Sequence, residues 1–473
     1  MQTSHQPFWK EIRYHDPLTW MSAIAQEPWT LLLDSANHAH PLQTTNRYSY
    51  VATDPFTTFV VKDHHTQPDL QPVTDVFTTL KQLLAPFKLT NVTTLPPFQG
   101  GVAGYFAYDL GHELENIAHC CPRESHFPDL ALGFYDTVIA FDHLRHKAWI
   151  ISSGFPELTQ SLRERRAHQR IQQFEHLIMQ GLANQPTTLQ YSTHDTKGVI
   201  ESNFDQTTYQ HIVEQAKQYI LNGDIFEVNL SQRFHTSMPP NLTGFSLYQK
   251  LRTANPAPFS AYLHFDQFTL ASASPERFLQ LTDHQVETRP IKGTLARGHT
   301  EVLDQQLAHQ LSTSAKDRAE NIMIVDLMRN DLSKVCTNHS IQVPILCGLE
   351  SYTSVHHLVS VVTATLMPEQ DAIDLLAAAF PGGSITGAPK IRAMEIIAEL
   401  ESHRRGPYCG SLGFISFNGD MDCSILIRTY CIENNTITYQ TGGAVVLASD
   451  PVQEYQETLD KVAALHQLLL GET

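Results

Sequence analysis

The feature that most restricts the fold of this chain is the irregular mixing of strand-like and helix-like segments beyond residue 250. A doubly wound fold would alternate strands and helices in a regular βαβ rhythm, and no such rhythm is present. The first 150 residues carry short β-rich runs at Trp29–Leu33, Tyr48–Val51 and Thr57–Val61. The sequence therefore predicts an α+β fold with large, mostly antiparallel sheets, and 473 residues are ample for its core.

Local signals place several helices. A charged segment over residues 156–182 has partial helical spacing, and a second helix is predicted from Gln206 to Leu221, before the turn Asn222-Gly223-Asp224. A third is predicted from Lys390 to Leu400. The last begins at Ser449-Asp450-Pro451, where an N-cap precedes proline, and runs to about Leu470.

A polar stretch from Asn184 to Ser202 is the best linker candidate, because it has few large apolar residues. It separates an N-terminal region, residues 1–190, from a region at residues 200–473 that carries the candidate chemistry. The two regions are predicted to form one intertwined structural unit.

Composition restricts the partners and the compartment. The net charge is -17 and no Lys/Arg-rich run offsets it, which argues against nucleic-acid binding. No apolar run approaches the roughly 18 residues of a membrane helix, and no secretory signal is visible, so a cytoplasmic protein is expected. The seven cysteines form neither a disulfide framework nor a C-x-x-C zinc pair.

Lys292 stands within T-R-P-I-K-G-T-L-A-R-G, a strand-like stretch that turns at Gly293-Thr294. A lysine there is either a snorkelling surface residue or a buried amine held for chemistry. A nucleophilic amine near pH 7 needs its pKa lowered by roughly three units from about 10.4, or about 4 kcal/mol. Burial beside cations or apolar walls can supply that shift.

Several carboxylates are suited to chemistry. Glu276 follows the strand predicted at Phe268–Ala273, and Glu320 lies in a helix predicted at Ser314–Val335. Glu454, Glu457 and Lys461 share one face of the last helix. Alone, that face is an ordinary solvated one, but together with Glu320 its carboxylates could hold Mg²⁺.

His357 shares the apolar face of a strand predicted at Val355–Val362, where a histidine is usually a satisfied core residue. A zinc site formed by His356 and His357 is disfavoured, because adjacent strand residues point to opposite faces. G-G-S-I-T-G-A-P-K fails the test for a phosphate loop. It is better interpreted as a loop that brings backbone N–H groups and the Thr386 hydroxyl to an anionic ligand.

Five motifs, S-P-E-R-F, P-I-K-G-T, D-R-A-E-N-I-M-I-V-D-L-M-R-N-D, V-H-H-L-V-S and P-G-G-S-I-T-G-A-P-K, occur in that order and closely resemble the chorismate-utilising enzymes. The resemblance implies two large sheets around a buried site that binds chorismate and Mg²⁺. Because chorismate carries two carboxylates, an acidic protein needs local cations, backbone N–H groups or a metal to hold it. Lys292 favours the branch that aminates chorismate at C4, since the anthranilate synthase relatives usually have alanine there.

The resemblance also implies roles for individual residues. Lys292 would attack C2, Glu276 would act as acid and then base, and His357 would lie where the hydroxyl departs. Glu320 and Glu457 would bind Mg²⁺, with Glu454 at one remove. The implied substrate contacts are Gly293, Thr294, Thr386, Tyr408, Arg428, Gly442, Gly443, Ala444 and Lys461, with Arg428 in a strand predicted at Ser424–Tyr430.

The implied product is 4-amino-4-deoxychorismate, for 4-aminobenzoate and folate synthesis. The ammonia is expected from a separate glutamine amidotransferase subunit, because this chain has no cysteine in a G-x-C-x-G setting, and free ammonia should serve in its absence. Isochorismate-forming relatives activate water with a lysine where this chain has Glu227, so attack by water is disfavoured. The alternatives are anthranilate synthase component I and a non-catalytic, tryptophan-binding regulatory subunit.

A possible tryptophan pocket is also implied by the resemblance. The matching positions are Ser35, Asn46, Arg47, Tyr48, Pro258, Phe259 and Ser260. Such a pocket could be a feedback site or a structural one, and plain core packing is an equally good interpretation of the same residues.

Overall fold

The computed structural model of the protein describes residues 5–36, 44–183, 199–240, 242–352 and 355–471. The predicted linker lies outside these residues as far as residue 198. The helices are α1 Pro17–Ile24, α2 Val76–Leu84, α3 Leu110–Leu114, α4 Gln160–Ala183, α5 Gln206–Leu221, α6 Gly244–Ala254, α7 Glu301–Thr313, α8 Ala315–Ser333, α9 Ala372–Ala379, α10 Lys390–Leu400 and α11 Pro451–Leu470.

The strands are β1 Phe8–Ile12, β2 Thr30–Asp34, β3 Tyr48–Ala52, β4 Thr57–Lys62, β5 His65–Thr66, β6 Gly101–Phe106, β7 Leu130–Tyr135, β8 Thr137–Asp142, β9 Lys147–Ser152, β10 Glu201–Ser202, β11 Glu227–Ser237, β12 Phe259–His264, β13 Phe268–Ser274, β14 Arg277–Thr282, β15 Gln285–Thr288, β16 Ile291–Ala296, β17 Gln342–Ser351, β18 Val355–Thr365, β19 Gly387–Ala388, β20 Ser411–Ser416, β21 Met421–Ile425, β22 Thr429–Glu433 and β23 Thr436–Val445.

These strands form two antiparallel sheets. Sheet A runs β1-β9-β8-β3-β2-β12-β13-β22-β23-β11-β10, with β19 paired to β11. Sheet B runs β16-β18-β15-β14-β21-β20-β6-β7-β4-β5, with β17 paired to β18. Each sheet joins a block of strands from the first half of the chain to a block from the second half, through the pairing of β2 with β12 in sheet A and of β6 with β20 in sheet B.

The two sheets pack face to face, and alternate side chains of each strand fill different layers. On β2 and β12, Leu31 and Leu263 lie in the layer between the sheets, with Ala103 and Phe414 of sheet B. Leu32, one residue further along β2, faces the opposite way into a second apolar cluster. Strands buried on both faces explain the continuous apolar runs in the sequence.

Helices cover both outer faces. The outer face of sheet A packs against α1, α4, α6 and α11, through residues such as Trp20, Phe174, Leu251 and Leu465. The outer face of sheet B packs against α2, α8 and α9, through Leu80, Leu332 and Leu376. Among the described residues, no helix is both long enough and apolar enough to cross a membrane.

Three helix predictions are confirmed, because their ends are set by local chemistry. The predicted bounds of α5 and α10 agree with the structure. In α11, the Asp450 side chain accepts hydrogen bonds from the N–H groups of Val452 and Gln453, Pro451 occupies the first turn, and Gly471 ends the helix at φ 71°.

One strand prediction is wrong. The stretch Ser424–Tyr430 is not continuous, because β21 ends at Ile425 and β22 begins at Thr429. Arg428 lies between them with a left-handed φ of 52°, a conformation that breaks a strand. This break directs the Arg428 main chain toward β13, where its carbonyl accepts a hydrogen bond from the Ala273 N–H at 3.1 Å.

Candidate active site

Lys292 lies at an irregularity in β16. The pairing of β16 with β18 shifts register between Ile291 and Thr294, so Lys292 and Gly293 bulge out of the ladder. Gly293 has φ 82°, and an added Cβ there would lie 2.9 Å from both the Asp317 carboxylate and the Leu311 side chain. The glycine is thus required by backbone conformation and by space.

The Lys292 ammonium is buried and forms an ion pair with Glu227, at 2.8 Å between Nζ and Oε1. Glu227 begins β11 of sheet A and Lys292 lies in β16 of sheet B, so this contact connects the two sheets. Burial lowers the pKa of Lys292, but Glu227, Glu320 and Glu276 more than offset it and the net pKa is raised. The expectation of a lowered pKa is therefore wrong for the free protein, because carboxylates rather than cations surround the amine.

Glu276 follows β13 and lies in the same cluster of charges. The Ser384 hydroxyl donates a hydrogen bond to its Oε1 at 2.6 Å. Burial raises the pKa of Glu276 to about 7, even though Ser384, Lys292 and Lys461 each act in the opposite direction. The carboxyl group is therefore divided between protonated and ionised forms at neutral pH, as a group that both gives and takes a proton needs to be.

His357 lies on β18 opposite Thr294 of β16, and the Thr294 hydroxyl is 2.8 Å from its Nδ1. Burial and the nearby Arg428 lower the pKa of His357 to about 3, so the ring is neutral. The neighbouring His356 points away and contacts Ser351 and Asp304 instead. The two imidazoles therefore do not share a ligand.

Three further carboxylates lie close by. Lys316 Nζ is 3.5 Å from Glu454 and 3.9 Å from Glu320, and so it links α8 to α11. Glu457 forms an ion pair with Lys461 at 2.7 Å. A Cβ added at Gly443 would lie 3.1 Å from a Glu454 oxygen and 3.5 Å from a Glu457 oxygen, so a larger residue there would crowd the Glu454 carboxylate.

Two carboxylate oxygens of this group, Glu320 Oε1 and Glu454 Oε2, are buried without a hydrogen-bond partner. Burial raises the pKa of Glu320 to about 7 and also raises that of Glu454. Unpartnered buried oxygens are costly, and a hard cation such as Mg²⁺ would satisfy them. The donor set fits that ion, provided that the half-exposed Lys316 side chain moves aside.

The remaining predicted substrate contacts lie around the same cluster. Lys461 Nζ donates to the Gly442 carbonyl at 2.9 Å. Gly442, Gly443 and Ala444 pair with Ser231, Leu230 and Asn229 at the site end of β23 and β11. Arg428 approaches His357 closely enough to lower its pKa, and among the described residues it has no carboxylate partner. A half-buried guanidinium without a counter-charge is suited to bind an anion.

Hydrogen bonds from Thr386 and Arg405 fix the main chain of the loop before α10. The Thr386 hydroxyl donates to the Gly382 carbonyl at 2.9 Å, so in this state it is turned toward its own loop. The buried Arg405 donates to the Ile385 carbonyl at 2.8 Å and forms an ion pair with Glu401. Arg405 also lies over the ring of the buried Tyr408, 5.7 Å from its centre.

The sequence reasoning missed three residues of this site. Lys316 could have been found from its spacing of four residues before Glu320 on one helix face. Ser384 lies within a motif that was identified, but its contact to Glu276 spans 108 positions. Glu227 was noted only as a departure from the isochorismate-forming relatives, and its pairing with Lys292 depends on how the sheets meet.

A separate cavity opens between the sheets near the start of β3 and β12. Five of the seven residues predicted for a tryptophan pocket line it: Ser35, Tyr48, Pro258, Phe259 and Ser260. Asn46 and Arg47 are not among its lining residues. Arg47 instead donates to Asp142, with Nη2 at 2.8 Å from Oδ2, and stacks over Tyr48. Arg277, which directly follows Glu276, also lines the cavity.

Comparison with known proteins places this fold and site in one class. Residues 30–467 match the family described as chorismate binding enzyme. The chain therefore belongs to the chorismate binding enzyme family, and the resemblance inferred from its motifs is confirmed.

Particular relatives extend over most of the chain. It is 41% identical over 450 residues to aminodeoxychorismate synthase component 1 of Escherichia coli (strain K12), covering 94% of each chain. It is 38% identical over 394 residues to anthranilate synthase component 1 of Aquifex aeolicus (strain VF5), covering 83% of this chain and 78% of the relative. The crystal structure of anthranilate synthase component I from Streptococcus pneumoniae TIGR4 aligns with a TM-score of 0.77 at 30% identity, covering 89% and 92%. The predicted α+β fold with two large antiparallel sheets is confirmed.

The raised pKa of Glu276 predicts a pH-dependent stability. Between the ordinary value of 4.5 and about 7, the folded protein keeps a proton that the unfolded chain has lost. The retained proton on Glu276 therefore stabilises the folded protein. This stabilisation is fully present below pH 4.5 and is lost as the pH rises through 7, and the loss lowers the free energy of unfolding by roughly 3 kcal/mol. Urea unfolding at pH 5 and pH 8, with a chelator present, measures it.

Glu276→Gln is expected to reduce the loss of stability between these two pH values. Glu369→Gln, at an exposed carboxylate, is the matched control and should behave like the wild type. Equal losses in the wild type and in Glu276→Gln would contradict the raised pKa.

Proposed function

We propose that the protein aminates chorismate at C4 with ammonia, giving 4-amino-4-deoxychorismate for 4-aminobenzoate synthesis. The observation that carries the proposal is a buried lysine, Lys292, displaced from its strand at the centre of a cluster that also holds Glu276 and Glu320. The 41% identity to an aminodeoxychorismate synthase component 1 supports the same reaction.

Chorismate is a dicarboxylate, and the site offers separate groups for its two ends. Arg428 has no carboxylate partner among the described residues, so its guanidinium is available to one substrate carboxylate. Glu320, Glu457 and Glu454 would hold Mg²⁺, and the ion would satisfy the buried unpartnered oxygens of Glu320 and Glu454. The bound ion would supply positive charge to the other substrate carboxylate, which the acidic wall of the site would otherwise repel.

In the first step the chain's own residues make a covalent bond to the ring. Lys292 passes a proton along its 2.8 Å contact to Glu227 and becomes a neutral amine. Its nitrogen bonds to C2 of chorismate, the two conjugated ring double bonds shift from C1=C2 and C5=C6 to C1=C6 and C4=C5, and the bond from C4 to the hydroxyl oxygen breaks. Glu276 donates its proton to that oxygen, which leaves as water.

In the second step ammonia displaces the lysine. The ammonia nitrogen bonds to C4, both ring double bonds shift back to C1=C2 and C5=C6, and the bond between C2 and Lys292 breaks. Glu276, now a carboxylate, takes the extra proton from the new amine, and Glu227 returns its proton to Lys292. The sum is chorismate plus ammonia giving the amino product plus water, with every protein group restored.

The neutral His357 cannot supply a proton as an imidazolium. Thr294 and the Gly293 main chain hold its ring in place. In this proposal it hydrogen-bonds the departing oxygen, while Glu276 transfers the proton. The ammonia is supplied by a separate glutamine amidotransferase subunit, and free ammonia replaces that source in vitro.

Replacing Lys292 by alanine tests the covalent route. Lys292→Ala should lower the rate of 4-amino-4-deoxychorismate formation by roughly three orders of magnitude or more, because the nucleophile is lost. Product analysis with chorismate, Mg²⁺ and ammonium at mildly alkaline pH measures this. Without ammonia, wild-type protein should gain the mass of chorismate less one water, measured on the intact chain.

Lys147→Ala, at a half-exposed lysine on β9, is the control and should form product and adduct like the wild type. If the wild type releases anthranilate, the relationship to anthranilate synthase component 1 describes the reaction instead. Wild-type activity in Lys292→Ala would remove the covalent step from the mechanism.

The carboxylates of α8 and α11 provide the test of Mg²⁺ binding. Glu320→Gln and Glu457→Gln should each slow Mg²⁺-dependent chorismate consumption by about a hundredfold or more, since loss of even an outer partner of a metal ligand costs about 10- to 100-fold. Titration of the free protein with Mg²⁺ in a calorimeter gives a readout apart from turnover.

Asp326→Asn is the matched control, because Asp326 lies on the same helix as Glu320 but is exposed. Activity that persists in a chelator, with unchanged rates in both glutamine variants, would show that these carboxylates have another role.

We further propose that the cavity between the sheets binds L-tryptophan. Tyr48, Pro258 and Phe259 offer ring and apolar contacts, and Ser35 and Ser260 offer hydroxyl groups. Arg47 is held by Asp142 and does not line the cavity, so the proposed ligand contacts do not include it. Arg277 lines this cavity and directly follows Glu276 in the sequence. A ligand in the cavity would therefore lie beside a residue that is bonded to an active-site residue.

L-Tryptophan at about 100 times its dissociation constant should stabilise the protein by about 2.7 kcal/mol, whereas D-tryptophan should not.

Tyr48→Ala should weaken binding roughly tenfold through loss of an aromatic contact. Tyr219→Ala, at another half-buried tyrosine, is the control. Equilibrium dialysis measures the L-tryptophan affinity of the wild type and of the two variants. Equal affinity in all three proteins would show that L-tryptophan binds outside this cavity. Inhibition of turnover by L-tryptophan would identify feedback, and its absence a structural ligand.

A further inference from the structure

A second cluster of metal-binding side chains lies outside the active site, around the short helix α3. Asp109, His112 and His119 bring one donor atom each within 4.8 Å of one another. Asp109 precedes α3 and His112 lies three residues later, so both project from the same side of a single turn. The chain then returns and places the ring of His119 against that of His112, with centres 4.6 Å apart and planes within 7°.

One ligand of this cluster is buried and has an unused nitrogen. The side chain of His112 is only 4% exposed, and its Nδ1 is buried without a hydrogen-bond partner. The ring is nevertheless hydrogen-bonded to the main chain of Ile117. A histidine that uses one ring nitrogen for a main-chain hydrogen bond and leaves the other free has the arrangement seen in metal ligands.

Asp109 is held in a similar way. It is 5% exposed, and its Oδ2 accepts a hydrogen bond from the Gly406 N–H at 3.1 Å. The contact orients the carboxylate while leaving lone pairs for a further partner. Because the rings of His112 and His119 are stacked, their nitrogens do not yet converge on one point. Binding an ion at about 2.0 Å from each ligand requires the half-buried His119 ring to turn out of this stack.

Two of the three arginines around the cluster are paired with carboxylates. Arg405 forms an ion pair with Glu401, and Arg123 forms ion pairs with Asp129 and Asp63. Arg404 donates to the Cys121 carbonyl. Because most of this positive charge is compensated, it does not prevent a divalent ion from binding to two neutral imidazoles and a carboxylate.

We propose that Asp109, His112 and His119 form a binding site for one zinc-class divalent ion, with water in the fourth position. Two imidazole nitrogens and one carboxylate favour Zn²⁺ or Co²⁺ over Mg²⁺, which prefers oxygen donors. The site is thus chemically distinct from the carboxylate cluster of Glu320 and Glu457. It does not depend on the proposed reaction.

The position of the site indicates a structural role. The surrounding cavity is also lined by Ile397, Glu401 and His403, which lie at the end of α10 and just after it. An ion held by Asp109 and the two histidines would fix the segment from α3 to His119 against that part of the second half of the chain. Glu401 and Arg405, which support the Thr386 loop, are part of the same wall.

Co²⁺ is the probe for this site, because its visible absorption reports its geometry and its ligands. Full-length protein treated with a chelator and then dialysed in excess Mg²⁺ is titrated with Co²⁺ and then with Zn²⁺. The expected result is one equivalent of Co²⁺ with tetrahedral absorption bands, displaced by one equivalent of Zn²⁺. Zn²⁺ should also raise the midpoint of thermal unfolding.

His112→Gln and His119→Gln should each weaken Co²⁺ binding by at least about tenfold, since even outer-shell changes cost that much. His211→Gln, at an exposed histidine on α5, is the matched control and should bind like the wild type. His119 is half-buried, so its variant tests the site even if His112→Gln fails to fold. Unchanged binding in His119→Gln, or no stoichiometric binding by the wild type, would overturn the proposal.

Discussion

The ion pair between Lys292 and Glu227 is the contact on which the arrangement of the site depends. Its two members belong to different sheets, and both side chains are almost completely buried. A buried charge that loses its partner is strongly destabilising, so Lys292 and Glu227 hold each other in place. Glu227 also raises the pKa of the Lys292 amine, so the lysine is protonated in the free protein. The amine must lose that proton before it can react.

The regular elements were the most predictable part of the chain. The bounds of α5, α10 and α11 follow from caps, turns and periodicity within a few residues, and those signals are all local. The α+β class followed from the absence of a βαβ rhythm. The pairing of β2 with β12 and of β6 with β20 could not be predicted in this way, because it joins residues more than two hundred positions apart.

The residues of the candidate site could be predicted from the sequence, but their protonation states could not. Lys292, Glu276 and Glu320 could be selected from motifs, yet the sign of the Lys292 pKa shift depends on Glu227, which arrives from another sheet. Arg428 was placed in a continuous strand because nothing in its side chain indicates a left-handed φ. Arg47 was assigned to a ligand pocket because its partner, Asp142, lies 95 positions away. The cluster around His112 escaped notice for a similar reason, since Asp109, His112 and His119 match no familiar metal spacing.

The bulge at Gly293 separates the identity of residue 292 from the backbone conformation of the strand. Its backbone conformation is determined by the glycine, by the neighbouring Asp317 and Leu311 side chains, and by the pairing of Thr294 with His357. None of these contacts involves the lysine side chain. Evolution could therefore exchange the residue that points into the cavity without rebuilding the strand around it, and one codon would suffice to redirect the chemistry of an otherwise unaltered scaffold.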